Sequence, residues 1–212
     1  MKIVTYNVNG INARLPRLLE YLDEQKPDIV CLQELKAYDD KIPAKAIEEA
    51  GYGAVWHGQK AFNGVAILAR GEQPVEYGRG LPGDPEDEQS RYVEKPVILA
   101  GDFNVIPTDE DVYSVSAMQD DALMQPESRE ALRRIIHQGW TDAIRARIPS
   151  GKLWTFWDYQ RGAWQRDAGF RIDHLLLSPV AADRLRAAGV DKEYRGREKA
   201  SDHAPTWAEL AE

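Results

Sequence analysis

Asp102 and Asn104 stand two residues apart at the end of a short apolar run, Val97-Ile98-Leu99-Ala100-Gly101-Asp102-Phe103-Asn104. Residues i and i+2 of an extended chain point to the same side, so this acid and this amide can face one pocket while Phe103 turns back into the core. Further polar residues fall where strands are expected to end, namely Asn7, Glu34, Asp173, Asp202 and His203, with no serine or cysteine nucleophile among them. Oxygen ligands of this kind suit a hard divalent cation, Mg²⁺ first and Mn²⁺ as the alternative, usually held by one or two carboxylates plus substrate phosphate. The chemistry is then phosphoester cleavage by water, which needs a metal to polarise the phosphate, a base near the water and a donor for the developing charge. By residue type, Glu34 and Asn7 serve the metal, Asp102 the water and Asn104 the phosphoryl oxygens. His203 beside a carboxylate such as Asp173 gains affinity for its proton and binds phosphate as an imidazolium.

Each of these residues also has an ordinary structural use. Asp102 and Asn104 shape turns such as the one leading to Pro107. Glu34 can be solvated at a strand end, and His203 can be a turn residue after Ser201. His57, His137 and His174 read as surface or packing residues.

The elements that must position these groups follow from periodicity. Residues 2–8 alternate and are rich in β-formers, and Asn9-Gly10 ends them with turn chemistry. Leu15, Leu18, Leu19 and Leu22 fall at i, i+3, i+4 and i+7, which predicts a helix packed on a sheet and stopped at Pro27. Residues 28–34 form a nearly all-apolar strand, completing a βαβ unit whose carboxyl ends carry Asn7 and Glu34, the edge where open α/β sheets gather ligands. Downstream, the pattern predicts a helix over 44–50 closed by Gly51, strands over 52–56 and 64–68, a Gly/Pro/acid-rich loop over 78–89 and a strand over 91–94. That strand runs directly into Lys95-Pro96, an abrupt junction between two elements. Beyond the central run, a helix over 127–138 ends at Gly139, an aromatic strand covers 153–159, and a loop with glycine and arginines covers 161–169. A strand follows over 170–177, then a helix capped by Ser178-Pro179 and running through Ala188 to Gly189, then a last strand around Trp207.

A chain of 212 residues with 43% hydrophobic content supports one substantial core, so a single domain over 1–212 is expected, in halves of 1–94 and 95–212. The even spread of charge opposes disorder, and no apolar run reaches the length of a membrane span. The single cysteine, Cys31, excludes an internal disulfide and a cysteine-rich zinc site and suits a reducing cytoplasm. A net charge of −8 opposes bulk attraction to nucleic acid unless the basic residues gather on one face.

Six blocks, Lys2-Ile-Val-Thr-Tyr-Asn-Val-Asn-Gly10, Leu32-Gln-Glu-Leu-Lys36, Asn63-Gly-Val-Ala66, Gly101-Asp-Phe-Asn104, Arg171-Ile-Asp173 and Ser201-Asp-His203, together closely resemble the exonuclease III family of apurinic/apyrimidinic endonucleases. That family lies in the endonuclease/exonuclease/phosphatase superfamily, and the likeness runs from the first residue to the last in the same order. The resemblance implies a four-layered α/β sandwich of two packed sheets with helices outside. It also implies Mg²⁺-dependent cutting on the 5′ side of an abasic site, with 3′-to-5′ exonuclease and 3′-phosphatase activity on duplex DNA. It puts Asn7 and Glu34 at metal positions, Asp102 and Asn104 at the water-activating and phosphate-binding positions, and Asp173 with His203 as an acid–histidine pair with Asp202 beside it, a further metal candidate. Phe156, Phe170 and Ile172 match an apolar pocket for a flipped-out abasic sugar, and Arg161, Arg166 and Arg171 are candidates for DNA backbone contacts.

The chain departs from the family in one place. The resemblance calls for a further strand, a Tyr-Val-Pro-Asn-Gly-like segment and a long helix after residue 94, and the active-site tyrosine of that segment has no counterpart here. Loss of a strand exposes a sheet edge and permits pairing between chains, although a monomer is the expectation. Two alternatives therefore accompany the nuclease: a catalytically impaired or inactive form that binds abasic DNA, and a phosphatase of the same superfamily.

Overall fold

The computed structural model describes residues 1–76 and 98–211. In chain order the elements are β1 (Lys2–Asn7), α1 (Ile11–Gln25), β2 (Ile29–Gln33), α2 (Ala44–Glu49), β3 (Tyr52–His57), β4 (Val65–Arg70), β5 (Ile98–Asp102), α3 (Val115–Met118), α4 (Pro126–Ile136), β6 (Thr141–Asp142), α5 (Ala143–Arg147), β7 (Asp173–Leu177), α6 (Pro179–Ala182), β8 (Leu185–Val190) and β9 (Thr206–Leu210). Two sheets form, one ordered β3-β4-β2-β1-β9-β8 and one ordered β5-β7-β6. β1 and β2 are parallel and joined by α1, which is the expected βαβ unit.

Alternation along the strands builds the layers. On β1, Val4 and Tyr6 pack against Leu18, Tyr21 and Leu22 of α1, whereas Ile3 packs with Leu175 and Leu177 of β7. β1 is therefore covered on both faces, which explains its near-continuous apolar character. Ile98 and Ala100 of β5 pack into the same space between the sheets as Leu175 and Leu177. By the period of two, the rows Ile3-Thr5-Asn7, Ile98-Ala100-Asp102 and Leu177-Leu175-Asp173 all line that space, and each ends in a polar residue. The arrangement is the two-sheet, helix-flanked sandwich that the motifs imply.

Three expectations are corrected. Residues 178–188 do not form one helix: α6 stops at Ala182 and Leu185–Val190 pairs with β9, with a bulge between Leu185 and Ala187. The alanine-rich segment has helical propensity, but pairing beside β9 overrides it. Gly189 does not close a helix; it lies opposite Trp207, and a Cβ there would meet the indole at 2.8 Å. Residues 153–159 form no strand ladder; the segment bends at Thr155 and Tyr159 and is tied by isolated bridges from Phe156 to Phe170 and His203, and β7 begins only at Asp173. The expected loop over 78–89, the strand over 91–94, the Lys95-Pro96 junction and the gap after residue 94 lie outside the described residues. Among the described residues, β5 pairs on one side only, with β7.

Candidate active site

Asp102 and Asp173 stand opposite each other at the shared end of β5 and β7. The Asn7 amide at the end of β1 donates to Asp102 Oδ2 at 3.1 Å, and Asn9 N–H donates to Asn7 Oδ1 at 3.0 Å. His203 arrives from the turn before β9. Ser201 fixes that turn by donating its hydroxyl to the Asn7 carbonyl at 2.7 Å while accepting from His203 N–H at 3.2 Å. The turn chemistry of Ser201 is therefore real, and it is what delivers the imidazole. His203 Nδ1 lies 2.9 Å from Asp173 Oδ2 and Nε2 lies 3.7 Å from Asp102 Oδ2.

Burial and charge compete in this cluster. Burial lowers the His203 imidazole, but the charge and hydrogen bond of Asp173, with Asp102 and Asp202 behind it, outweigh that and push it up to about 10. Burial raises the Asp102 carboxyl to about 6; His203 opposes this, Asp173 adds to it, and the Asn104 N–H and Asn7 amide oppose it. A carboxylate in that range can take a proton near neutral pH, and a buried imidazolium beside it can meet negative charge.

Glu34 forms a second wall. It lines a cleft of about 120 Å³ with Asn7, Gln33, Asn63, Asp102 and Asn104, so the expected acid and amide share one pocket. Asn104 does so from a left-handed backbone (φ 51°) rather than an extended one, its N–H donating to Asp102 Oδ1 at 2.9 Å. Asp202 joins the Glu34 wall through a chain of contacts: Asn9 Nδ2 donates to Asp202 Oδ1 at 2.9 Å, Lys36 Nζ donates to Asn9 Oδ1 at 2.6 Å, and Lys36 pairs with Glu34 at 2.9 Å.

The donor set fits a hard cation. Carboxylate and amide side chains, among them Glu34, Asn7 and Asp102, line the cleft, and Asp173 Oδ1 beside it is buried without a hydrogen-bond partner. A buried carboxylate oxygen left without a donor is what a nearby cation or a protonated substrate oxygen would satisfy.

The family described as Endonuclease/Exonuclease/phosphatase is matched over residues 4–203. The chain belongs to that family. Exodeoxyribonuclease III of Haemophilus influenzae is 29% identical over 267 aligned positions, covering 99% of this chain and 100% of that protein. Because 212 residues are spread over 267 positions, that relative carries stretches with no counterpart here. The Neisseria 3′ phosphatase NExo, solved with a product DNA hairpin, superposes with a TM-score of 0.94 at 34% identity, covering 100% of this chain and 99% of that one. An AP endonuclease from Archaeoglobus fulgidus gives a TM-score of 0.93 at 30% identity, with 99% of each chain covered.

In this member of the endonuclease/exonuclease/phosphatase family, the expected apolar residues gather beside His203. The Phe156 ring lies 4.9 Å from the imidazole and 4.7 Å from Phe170, and both pack with Ile172. Arg161 and Arg166 are exposed on the turn that follows. Arg171 is not available for a DNA backbone contact. It is 1% exposed, and its guanidinium is spent on Asp111 at 2.7 Å and Asp142 at 2.7 Å, because the residue precedes β7 where the chain is still inside the fold.

Residue type alone did not point to Asn9 and Lys36, the bridge between Glu34 and Asp202. Both belong to the motif blocks, and Lys36 follows Glu34 by two, yet their contact depends on left-handed backbone at Asn9 (φ 47°), Glu34 (φ 52°) and Lys36 (φ 51°). Asparagine tolerates that conformation, so Asn9 and Asn104 carried a weak signal; glutamate and lysine carry none.

Proposed function

We propose that this chain is a DNA repair nuclease that hydrolyses the phosphodiester 5′ to an abasic site in duplex DNA, with 3′-to-5′ exonuclease and 3′-phosphatase activity. The observation that carries the reading is the Asp102–His203–Asp173 cluster, with one imidazole 2.9 Å from one carboxylate and 3.7 Å from the other, beside the Glu34 cleft. The likeness to a 3′ phosphatase solved with DNA supports DNA as the substrate and 3′ ends as part of its range.

Glu34, with Asn7 and Asp202, would hold a divalent cation, Mg²⁺ by its preference for oxygen donors, whose contribution when bound is to polarise the scissile phosphate. The Asp102 carboxylate takes a proton from water, the resulting oxygen attacks phosphorus, and the bond to the 3′ oxygen breaks, that oxygen taking up a proton from solvent. Asn104 donates to a phosphoryl oxygen. The His203 imidazolium, kept charged by Asp173, faces the charge that grows in the transition state. The apolar wall of Phe156, Phe170 and Ile172 receives a sugar that lacks its base, and Arg161 and Arg166 meet backbone phosphates. The single cysteine suits work in the reducing cytoplasm, as a monomer. No helix among the described residues is long and apolar enough to cross a membrane.

The test is nicking of a duplex carrying one tetrahydrofuran abasic analogue, with Mg²⁺ and with chelator. Nicking at the analogue that stops in chelator is the expected result. No nicking at stoichiometric enzyme, or equal nicking in chelator, overturns the proposal. A second reading, a binding form with little catalysis, is favoured by the aligned positions this chain lacks. Tight Mg²⁺-independent binding of the same duplex, unchanged in Glu34→Ala, would mark it.

A further inference from the structure

Asp173 and His174 are neighbours on β7, and their side chains serve opposite faces of the sheet. Asp173 meets His203, whereas His174 is fully buried on the other side, 3.0 Å from the Val105 carbonyl through Nε2 and 3.0 Å from Arg171 Nη1 through Nδ1. A guanidinium can only donate, so Nδ1 of His174 must accept; Nε2 then carries the hydrogen and donates to Val105. Arg171 is itself fixed, its Nε donating to Asp111 Oδ1 at 2.7 Å and its Nη1 to Asp142 Oδ2 at 2.7 Å.

Val105 directly follows Asn104, whose left-handed backbone (φ 51°) is a conformation that asparagine tolerates and does not prefer. Such a turn keeps its shape when bonds hold it on both sides. On the near side, Phe103 N–H donates to the Ile172 carbonyl at 3.0 Å and Asn104 N–H to Asp102 at 2.9 Å. On the far side, His174 holds Val105, and the Phe103 ring stands edge-on to the imidazole at 5.5 Å.

We propose that His174 is a positioning residue for the turn at Asn104, acting through its single hydrogen bond to the Val105 carbonyl and held in the donating tautomer by Arg171. The proposal rests on Asn104 as the donor to the phosphoryl oxygen. A histidine is suited to the place because it accepts at one ring nitrogen and donates at the other, linking the buried ion pairs to the turn without bringing a charge of its own.

The experiment compares single-turnover nicking of the abasic duplex by wild type, His174→Leu, His174→Gln, Asn104→Ala and the double variant His174→Leu/Asn104→Ala. His174→Leu is expected to lose on the order of tenfold in the rate of cleavage with duplex affinity nearly unchanged. His174→Gln, whose amide can donate from a similar position, recovers most of that loss. In the Asn104→Ala background the leucine substitution has little further effect, because both act on one turn. Full additivity in the double variant, or a wild-type rate in His174→Leu, overturns the proposal. Imidazole nitrogen shifts of the wild-type protein provide an arm independent of catalysis: hydrogen on Nε2 is expected and hydrogen on Nδ1 overturns it. Should wild type fail to nick, the nuclease reading fails, while the tautomer measurement still decides whether His174 donates to the Val105 carbonyl and so holds the turn.

Discussion

Asp102 and Asp173 face each other across the last rung of the β5–β7 ladder, and a single imidazole, His203, reaches both. Two carboxylates at that spacing in a buried site repel unless a cation lies between them, so the imidazolium and the acids depend on one another.

Asp173→Asn removes the charge that holds the proton on His203. Catalysis should fall by about a hundredfold or more, the usual loss when a transition-state partner is removed. Single-turnover rates on the abasic duplex, alongside a circular-dichroism melt that stays near wild type, would separate this from unfolding.

Glu34→Gln takes one charged oxygen from the cleft and leaves Lys36 without its carboxylate partner, its bond to Asn9 remaining. Metal affinity should weaken roughly 10- to 100-fold, with activity partly restored by raising the Mg²⁺ concentration. Titration with Mn²⁺ followed by electron paramagnetic resonance reads the affinity directly; unchanged binding would remove Glu34 from the metal site.

Arg171→Met leaves Asp111, which is 0% exposed, without its main counter-charge. The loss of stability should be about 3–5 kcal/mol, as for other broken buried pairs. By contrast, Arg161→Ala should leave the melting temperature alone and reduce the salt dependence of DNA binding by about one unit of slope.

Acid sensitivity should trace to the same buried network. Burial alone would raise the Asp111 carboxyl, but Arg171, by hydrogen bond and charge, with Thr108 and Arg145, holds it at about 2, below its ordinary 3.8. The folded state therefore gives up this proton more readily than the unfolded chain. The stabilisation is complete above about pH 5 and is lost progressively as pH falls through about 2, amounting to about 2 kcal/mol. Denaturant midpoints of wild type and Asp111→Asn measured between pH 2 and 5 should converge toward the acid end.

Much of the fold was legible because its strands and helices are periodic. Lys2–Asn7, Ile11–Gln25 and Ile29–Gln33 form the expected βαβ unit, and Asn7 and Glu34 lie at the carboxyl ends of its strands. Leu185–Val190 was missed because a short alanine-rich segment suits a helix as well as a strand, and only its pairing with β9 distinguishes the two. Arg171 differs for a related reason: an arginine beside a loop resembles a surface contact until two acids distant in sequence, buried Asp111 and half-buried Asp142, are found around it.

The sequence by itself determined the kinds of groups this protein can bring to a phosphate and the order in which strands present them, since side-chain chemistry and the period of a strand are local properties. Only the tertiary structure decided that Asp173 faces His203 while its neighbour faces Val105, that Lys36 and Asn9 tie Glu34 to Asp202, and that Arg171 is a buried strut. These depend on left-handed turns and on contacts between residues from 27 to 193 positions apart, such as Lys36 with Asn9, Arg171 with Asp111 and Asn9 with Asp202. Burial then changes what each group can do, and no local pattern encodes that burial.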